Sequence, residues 1–277
     1  MKFKGADYYY LKMDTHHVPV PYYQQKRRVR VLLPKDYEQD LNETYPVVYL
    51  HDGQNVFYSK EAYSGYSWKV IPTIKNHPDL QKVIVVGIDN AGERRLDEYG
   101  PWPVDNSQTP ALLEAGGDGM AYGQWVVETL KPFIDGNYRT RPEAASTLLA
   151  GSSMGGIITA YMGAAYPNVF GHLGVFSLAS WFSEAEFLDY INRHPLKPAT
   201  RVFIQVGTKE GNAGDESFMS SDRINQAYLD STMAYYQSLL RSGLPVDQID
   251  IRIVAEATHH EKHWADHFLD FLRFSKL

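Results

Sequence analysis

The chain predicts an α/β fold, a central and mostly parallel sheet flanked by helices on both faces. Short apolar runs at 46–51, 82–89, 146–150, 171–179 and 201–206 have the character of strands buried on both faces. Between and after them lie stretches with helical periodicity, the longest at 222–241. Strands alternating with helices supply the crossovers that parallel pairing requires. In such sheets ligands gather beyond the carboxyl ends of the strands.

Taken in order, Arg27-Arg-Val-Arg-Val-Leu-Leu33 alternates and then turns apolar, which suggests an early strand near a sheet edge, stopped by Pro34. A polar loop over 36–45 leads to the strand at 46–51, and Asp52-Gly-Gln-Asn55 forms the turn at its end. A crossover helix over 66–75 precedes the strand at 82–89. Residues 90–120 carry Arg94, Arg95, Pro101, Pro103, Pro110 and several glycines, and read as an irregular loop insertion. A loop of that length either rims a binding site or is a solvated excursion. A helix over 123–136, closed by Gly136, leads to the strand at 146–150.

Further on, the strand at 171–179 ends at Ser180 and Trp181, and the strand at 201–206 ends at Gly207-Thr-Lys-Glu-Gly211. In the helix over 222–241, Ile224, Tyr228, Met233, Tyr236, Leu239 and Leu240 recur at helical spacing as core contacts, with Gly243 closing it. A last strand at 249–254 and a last helix over 261–277 follow. No repeat, low-complexity tract or linker interrupts the chain, so one domain over 1–277 is expected.

Composition narrows the class. With 44% hydrophobic and 22% charged residues, the 277-residue chain has the profile of a soluble globular protein. Its net charge of -6 gives no reason to expect nucleic acid or an anionic membrane as partner. The absence of cysteine excludes disulfides, thiolate nucleophiles and cysteine-based zinc sites. Neither a secretory signal nor a run of membrane-spanning length is visible, and a cytoplasmic location is the default expectation.

The chemistry centres on Gly151-Ser-Ser-Met-Gly155. This G-x-S-x-G pattern follows an apolar strand and precedes an apolar helix, the order of a nucleophile elbow in an α/β-hydrolase. A strained turn lifts the Ser153 hydroxyl above the sheet, and glycines two positions to either side avoid clashes within it. The competing reading, a phosphate-cradling loop, lacks the lysine a P-loop needs.

A serine hydroxyl is a weak nucleophile until a base takes its proton and an acid holds that base in place. In this fold the chain order is Ser, then Asp or Glu, then His. Of the downstream histidines, only His259 and His260 lie directly after the last strand. His263 and His267 fall on the final helix, His172 lies before a strand on the wrong side of the sheet, and the histidines other than the one after the last strand, His194 among them, read as solvated or packed. The i,i+4 spacing of His259, His263 and His267 resembles a metal site, but the Glu of H-E-x-x-H is misplaced, so no metal is expected. For the acid, Glu210 just past a strand fits best, with Asp215 second. The two oxyanion donors are backbone amides: Met154, which follows the nucleophile, and Gln54 in the turn that Gly53 permits. His51 and Asp52, a tempting second acid–base pair, read instead as shapers of that loop.

Several stretches together resemble the esterase family of the α/β-hydrolases, which includes enterochelin-esterase-like proteins, feruloyl and acetyl-xylan esterases, S-formylglutathione hydrolases and mycobacterial mycolyltransferases. They are Tyr45-Pro-Val-Val-Tyr-Leu-His-Asp-Gly-Gln-Asn55, Val85-Val-Gly-Ile-Asp-Asn90, Arg94-Arg-Leu-Asp-Glu-Tyr99, Leu130-Lys-Pro-Phe-Ile-Asp135, Ala150-Gly-Ser-Ser-Met-Gly-Gly156 and His259-His-Glu-Lys-His-Trp264. They run in family order from about Arg27 to the C-terminus. The resemblance implies Ser153 as nucleophile and His259, first in an H-x-E-x-x-W pattern, as base. It also implies Gln54 and Met154 as oxyanion donors, Glu210 as acid, and Trp181 as a wall of the acyl pocket. One departure is the lack of the cysteines that close relatives of formylglutathione hydrolases carry near the oxyanion loop. The expected activity is a serine carboxylesterase working on a small-molecule ester through an acyl-enzyme, with no cofactor. The alternatives are an acyltransferase on the same triad and a non-catalytic binding protein.

Overall fold

A computed structural model describes residues 12–105, 115–212 and 221–276. Eight strands form one sheet: β1 (Met13–Val20), β2 (Gln25–Leu32), β3 (Val47–Leu50), β4 (Ile84–Ile88), β5 (Thr147–Ser152), β6 (His172–Phe176), β7 (Arg201–Gly207) and β8 (Ile249–Val254). Their spatial order is β1-β2-β4-β3-β5-β6-β7-β8. The first two pairings, β1 with β2 and β2 with β4, are antiparallel; all later ones are parallel.

The helices are α1 (Val70–Asn76), α2 (Arg95–Tyr99), α3 (Gly119–Trp125), α4 (Lys131–Asn137), α5 (Met154–Ala165), α6 (Glu184–Arg193), α7 (Ser221–Arg241) and α8 (Glu261–Phe274). Successive strand residues point to opposite faces, so each central strand feeds two cores. In β3, Val47 and Tyr49 join a core with Ile157, Phe187 and Tyr235 from α5, α6 and α7. Val48 and Leu50 join the other, with Val70 of α1 and Trp264, Phe268 and Phe271 of α8. Every residue of β3, β4, β5 and β6 is buried, which is why these strands read as continuous apolar runs. Among the described residues no helix is long and apolar enough to cross a membrane.

Several elements depart from the sequence expectation. Strand β1 was not anticipated: its residues include two histidines and Pro19, and only Val18 and Val20 are buried. That thin burial belongs to an edge strand, where Pro is tolerated and the apolar signal is weak. The crossover helix starts at Val70 rather than 66, after Lys69 in a left-handed conformation. The helix expected over 123–136 begins at Gly119, passes through a π turn over Val126–Leu130 and ends at Asn137. Gly136 is therefore inside it, and extended Tyr138 is the stop. Helix α6 was also missed, although acidic Glu184 and Glu186 in its first turn and buried Phe187 and Ile191 four apart are ordinary helix signals.

The stretch over 90–120 holds helix α2 and an antiparallel bridge between Pro103 and Gly116. Its anchor is ionic. Glu98, fully buried, accepts two hydrogen bonds from the Arg27 guanidinium at 2.7 and 2.8 Å and a third from the Tyr22 hydroxyl at 2.5 Å. Arg27 also donates to the Asp89 carbonyl at 2.9 Å. Neutralising one member of a buried pair strands the other charge, which costs about 3–5 kcal/mol. Glu98→Gln should therefore lower the free energy of unfolding measured in urea by that amount, through a lower midpoint with the m-value unchanged. A loss under about 1 kcal/mol would show that the pair is not what anchors this stretch.

Candidate active site

Ser153 sits between β5 and α5 with φ 60 and ψ -122, a conformation that is strained for any residue with a side chain. Its amide donates to the Phe176 carbonyl at 2.9 Å, tying the turn to β6. Of the two flanking glycines, Gly151 is a steric requirement, since a Cβ there would lie 2.6 Å from the Gly155 carbonyl oxygen. A Cβ on Gly155 would meet nothing nearer than the Asp52 carboxylate at 3.4 Å, so the expectation of a clash holds on one side only. Helix α5 begins at Met154 and is buried almost throughout, so the positive end of its dipole lies just behind Ser153.

Strand β7 ends at Gly207, and Glu210 opens a 3-10 turn three residues later. One carboxylate oxygen of Glu210 accepts from the Ser177 hydroxyl at 2.7 Å and the Gly207 amide at 2.6 Å. The other is 2.6 Å from Nδ1 of His259. An ionised carboxylate only accepts, so Nδ1 carries the proton and Nε2 is the free basic nitrogen of the neutral ring. His259 is flanked by the Tyr228 ring, 4.7 Å away between centroids, and by Trp264 edge-on at 5.0 Å. The Trp264 indole in turn donates to the Ser177 hydroxyl at 2.8 Å.

Tyr228 joins these parts. Its buried phenol, pushed above its ordinary pKa mainly by burial, lies against the Ser153 hydroxyl and the Trp181 indole. Trp181 stands in a short turn after β6, stacked on Phe182 at 3.9 Å and edge-on to Tyr228 at 6.0 Å.

The turn after β3 is held from several sides. Asp52 is in the left-handed region (φ 53) and leads into a 3-10 turn over Gly53–Asn55. Any side chain at position 53 would meet the backbone of Gly87 at 2.6 Å. Arg95 grips both Asp52 carboxylate oxygens, at 2.7 and 2.8 Å, and Asn90 adds a third bond at 2.6 Å. Burial alone would raise the Asp52 pKa, but Arg95 and Asn90 outweigh it and hold the carboxyl below its ordinary range. Gln54 accepts through Oε1 from the Asn90 amide at 3.2 Å, and Asn55 donates to Glu261 at 3.3 Å. His51 bonds the Tyr122 hydroxyl at 2.8 Å, and burial drives its pKa down to about 3. His51 is thus neutral, and the charge of Asp52 is met by Arg95.

Of the residues singled out from sequence, Glu210 and His259 are in direct contact, and Ser153 and Trp181 meet at Tyr228. Met154 opens α5 and Gln54 lies in the turn after β3; Arg95 links that turn to the end of β5, reaching from Asp52 to the Ser152 carbonyl at 3.5 Å. Asp215 lies outside the described residues. The sequence reading missed the roles of Ser177 and Arg95 and took Tyr228 for an ordinary core contact. Only their positions beside recognisable motif residues could have marked them out.

The fold and this elbow define an α/β-hydrolase of the serine type. Residues 21–274 match the family model described as "Putative esterase". The chain belongs to this esterase family, whose members act on ester bonds. It is 30% identical over 249 residues to the uncharacterized protein YbbA of Bacillus subtilis (strain 168), covering 90% of this chain and 92% of that one. Among solved structures it is similar to an IroE-like serine hydrolase from Shewanella oneidensis, with TM-score 0.73 and 21% identity over 95% of this chain and 79% of that one. It is also similar to the siderophore hydrolase EstA from Aspergillus nidulans, with TM-score 0.71 and 16% identity over 100% and 97%.

The His51 environment carries a pH signature. Unfolded, the imidazole has a pKa of about 6.5; folded, it sits at about 3. Between these values the unfolded chain binds the extra proton, so the contribution of His51 to stability is whole above about pH 6.5 and is lost as pH falls towards 3. His51→Gln should flatten the fall in stability between about pH 6.5 and pH 5, by up to about 1.4 kcal/mol per pH unit. Urea midpoints of both proteins across that range check this; parallel curves would refute it.

Proposed function

We propose that the chain is a serine carboxylesterase that hydrolyses a small-molecule carboxylic ester through an acyl-enzyme, with Ser153, His259 and Glu210 as triad. The observation that carries this reading is the 2.6 Å contact between His259 Nδ1 and a fully buried carboxylate, on the same side of the sheet as a strained elbow serine. In the proposed mechanism Nε2 of His259 takes the Ser153 proton as Oγ attacks the ester carbonyl. Glu210 holds the tautomer and stabilises the imidazolium that forms. The amides of Met154 and Gln54 stabilise the oxyanion, aided by the N-terminal end of α5. The imidazolium then protonates the departing alcohol. Water, deprotonated by His259, releases the acid and restores Ser153.

The walls of the site argue for an apolar acyl group. Tyr228 and Trp181 present aromatic surface next to Ser153, and we assign Trp181 to the acyl pocket. The Tyr228 hydroxyl, lying against the nucleophile, helps to orient it.

Ser153→Ala should lower kcat for p-nitrophenyl esters by on the order of 10⁶, and Glu210→Gln by on the order of 10⁴, both with the thermal transition largely retained. Labelling by a fluorophosphonate should vanish in Ser153→Ala and persist in slowed form in Glu210→Gln. Full turnover by the Ser153 variant, or labelling of a different residue, would reject the assignment. An undiminished Glu210→Gln would move the acid role elsewhere.

A further inference from the structure

At the end of the sheet opposite the elbow, a cavity of about 480 Å³ opens where β6 and β7 begin, beside the end of α8. Lys197, Arg201 and Lys276 line it together with the buried His172, Thr200 and Ser275, and no carboxylate lines it among the described residues. Glu143, next in sequence to the lining residues Ala144–Ser146, accepts from the Ser146 hydroxyl at 2.7 Å.

Two buried side-chain atoms of these lining residues have no hydrogen-bond partner. His172 is 8% exposed, and its Nε2 lies 3.0 Å from the Ala145 carbonyl. A carbonyl can only accept, so Nε2 bears the proton and Nδ1 presents a bare lone pair. That Nδ1 has no partner, and neither has the hydroxyl of Ser275, which is 4% exposed. Unsatisfied buried polar atoms are uncommon in native proteins, and two lining one cavity call for a ligand that supplies both a donor and an acceptor. The cations add the requirement of negative charge. Arg201 spends one donor on the Phe274 carbonyl at 2.8 Å, and Lys197 donates to Asn168. Guanidinium and ammonium groups have several donors each, so these bonds leave capacity for a further acceptor.

We propose that this cavity binds a phosphate-class oxyanion, either free hydrogen phosphate or the head of a small phosphate monoester. A protonated phosphate oxygen donates to His172 Nδ1, while the remaining oxygens accept from Arg201, Lys197, Lys276 and the Ser275 hydroxyl. Inorganic hydrogen phosphate keeps a proton at neutral pH, and a monoester, whose second pKa is about 6, donates only when bound as its monoanion, whereas sulfate has none to give. Burial, assisted by Arg201 and opposed by the Ala145 carbonyl, lowers the His172 pKa, consistent with a neutral acceptor.

Calorimetric titration of the full chain with inorganic phosphate, glycerol 3-phosphate and sodium sulfate, at constant ionic strength, tests this. Saturable binding of one or both phosphates is expected, weakened about 10- to 100-fold in Arg201→Gln and Lys276→Gln, with hydrolysis of p-nitrophenyl esters unchanged. Sulfate should bind at least about tenfold more weakly, and the nitrogen resonances of His172 should shift with phosphate. Tighter binding of glycerol 3-phosphate would identify a monoester head as the ligand, and tighter or equal binding of inorganic phosphate the free ion. No saturable binding, undiminished binding in both variants, or sulfate binding as tightly as phosphate would overturn the proposal.

Discussion

The allocation of the two oxygens of the Glu210 carboxylate is the constraint on which the site depends. Buried without partners, that charge would be costly to keep ionised. One oxygen is committed to the Ser177 hydroxyl and the Gly207 amide, and the other, among the described residues, meets His259. Each commitment shapes the chain around it. A Cβ at position 207 would lie 2.1 Å from the Ala257 carbonyl oxygen and 3.0 Å from Glu210, so only glycine lets β7 close on the loop that bears His259. Ser177 adopts φ 45 to present its hydroxyl and also accepts from Trp264. A single carboxylate thus joins the ends of β6 and β7, the loop after β8 and the first turns of α8.

The other half of the site is organised by a second fixed charge, that of Arg95. Its grip on Asp52 holds the turn after β3 in a left-handed conformation, and its contact with the Ser152 carbonyl links that turn to the elbow. Helix α2, which carries Arg95, is itself secured by the bond of Glu98 to Arg27. The irregular stretch after β4 is therefore attached to the sheet by one ion pair and to the turn after β3 by another. Strained backbone at Ser153 persists only where the surroundings over-determine it, and these ties are part of what does so. The H-x-E-x-x-W pattern finds its physical reason here as well. His259 meets Glu210, Glu261 accepts from Asn55 at the end of the turn after β3, and Trp264 supports both His259 and Ser177.

What was legible in the sequence was what is local. The elbow is a strand, a glycine-flanked serine and a helix within a few residues, and the central strands announce themselves because they are buried on both faces. Chain order then placed Glu210 and His259 at strand ends. Tyr228 could not be read this way, because a residue on the apolar stripe of an amphipathic helix looks the same whether it packs in a core or against a nucleophile. Ser177 and Arg95 act through partners far away in sequence, which no local pattern encodes. Strand β1 escaped notice for the opposite reason: an edge strand with one half-buried face carries little hydrophobic signal.

Three histidines show why residue type and burial together do not define a role. His51 faces a tyrosine hydroxyl, His172 faces a backbone carbonyl, and His259 faces a carboxylate. A hydroxyl or a carbonyl fixes the orientation of a neutral ring but brings no net charge to support a cation, and burial lowers the pKa of both His51 and His172. Only the carboxylate can offset the charge an imidazole gains when it removes a proton from serine. The parallel sheet reinforces the division. His172 begins a strand and His259 follows one, so the two rings lie at opposite ends of the sheet, where the loops that surround them are different. In the mechanism proposed here a histidine becomes a base through the partner at its far nitrogen, and the direction of the strands decides which histidine receives that partner.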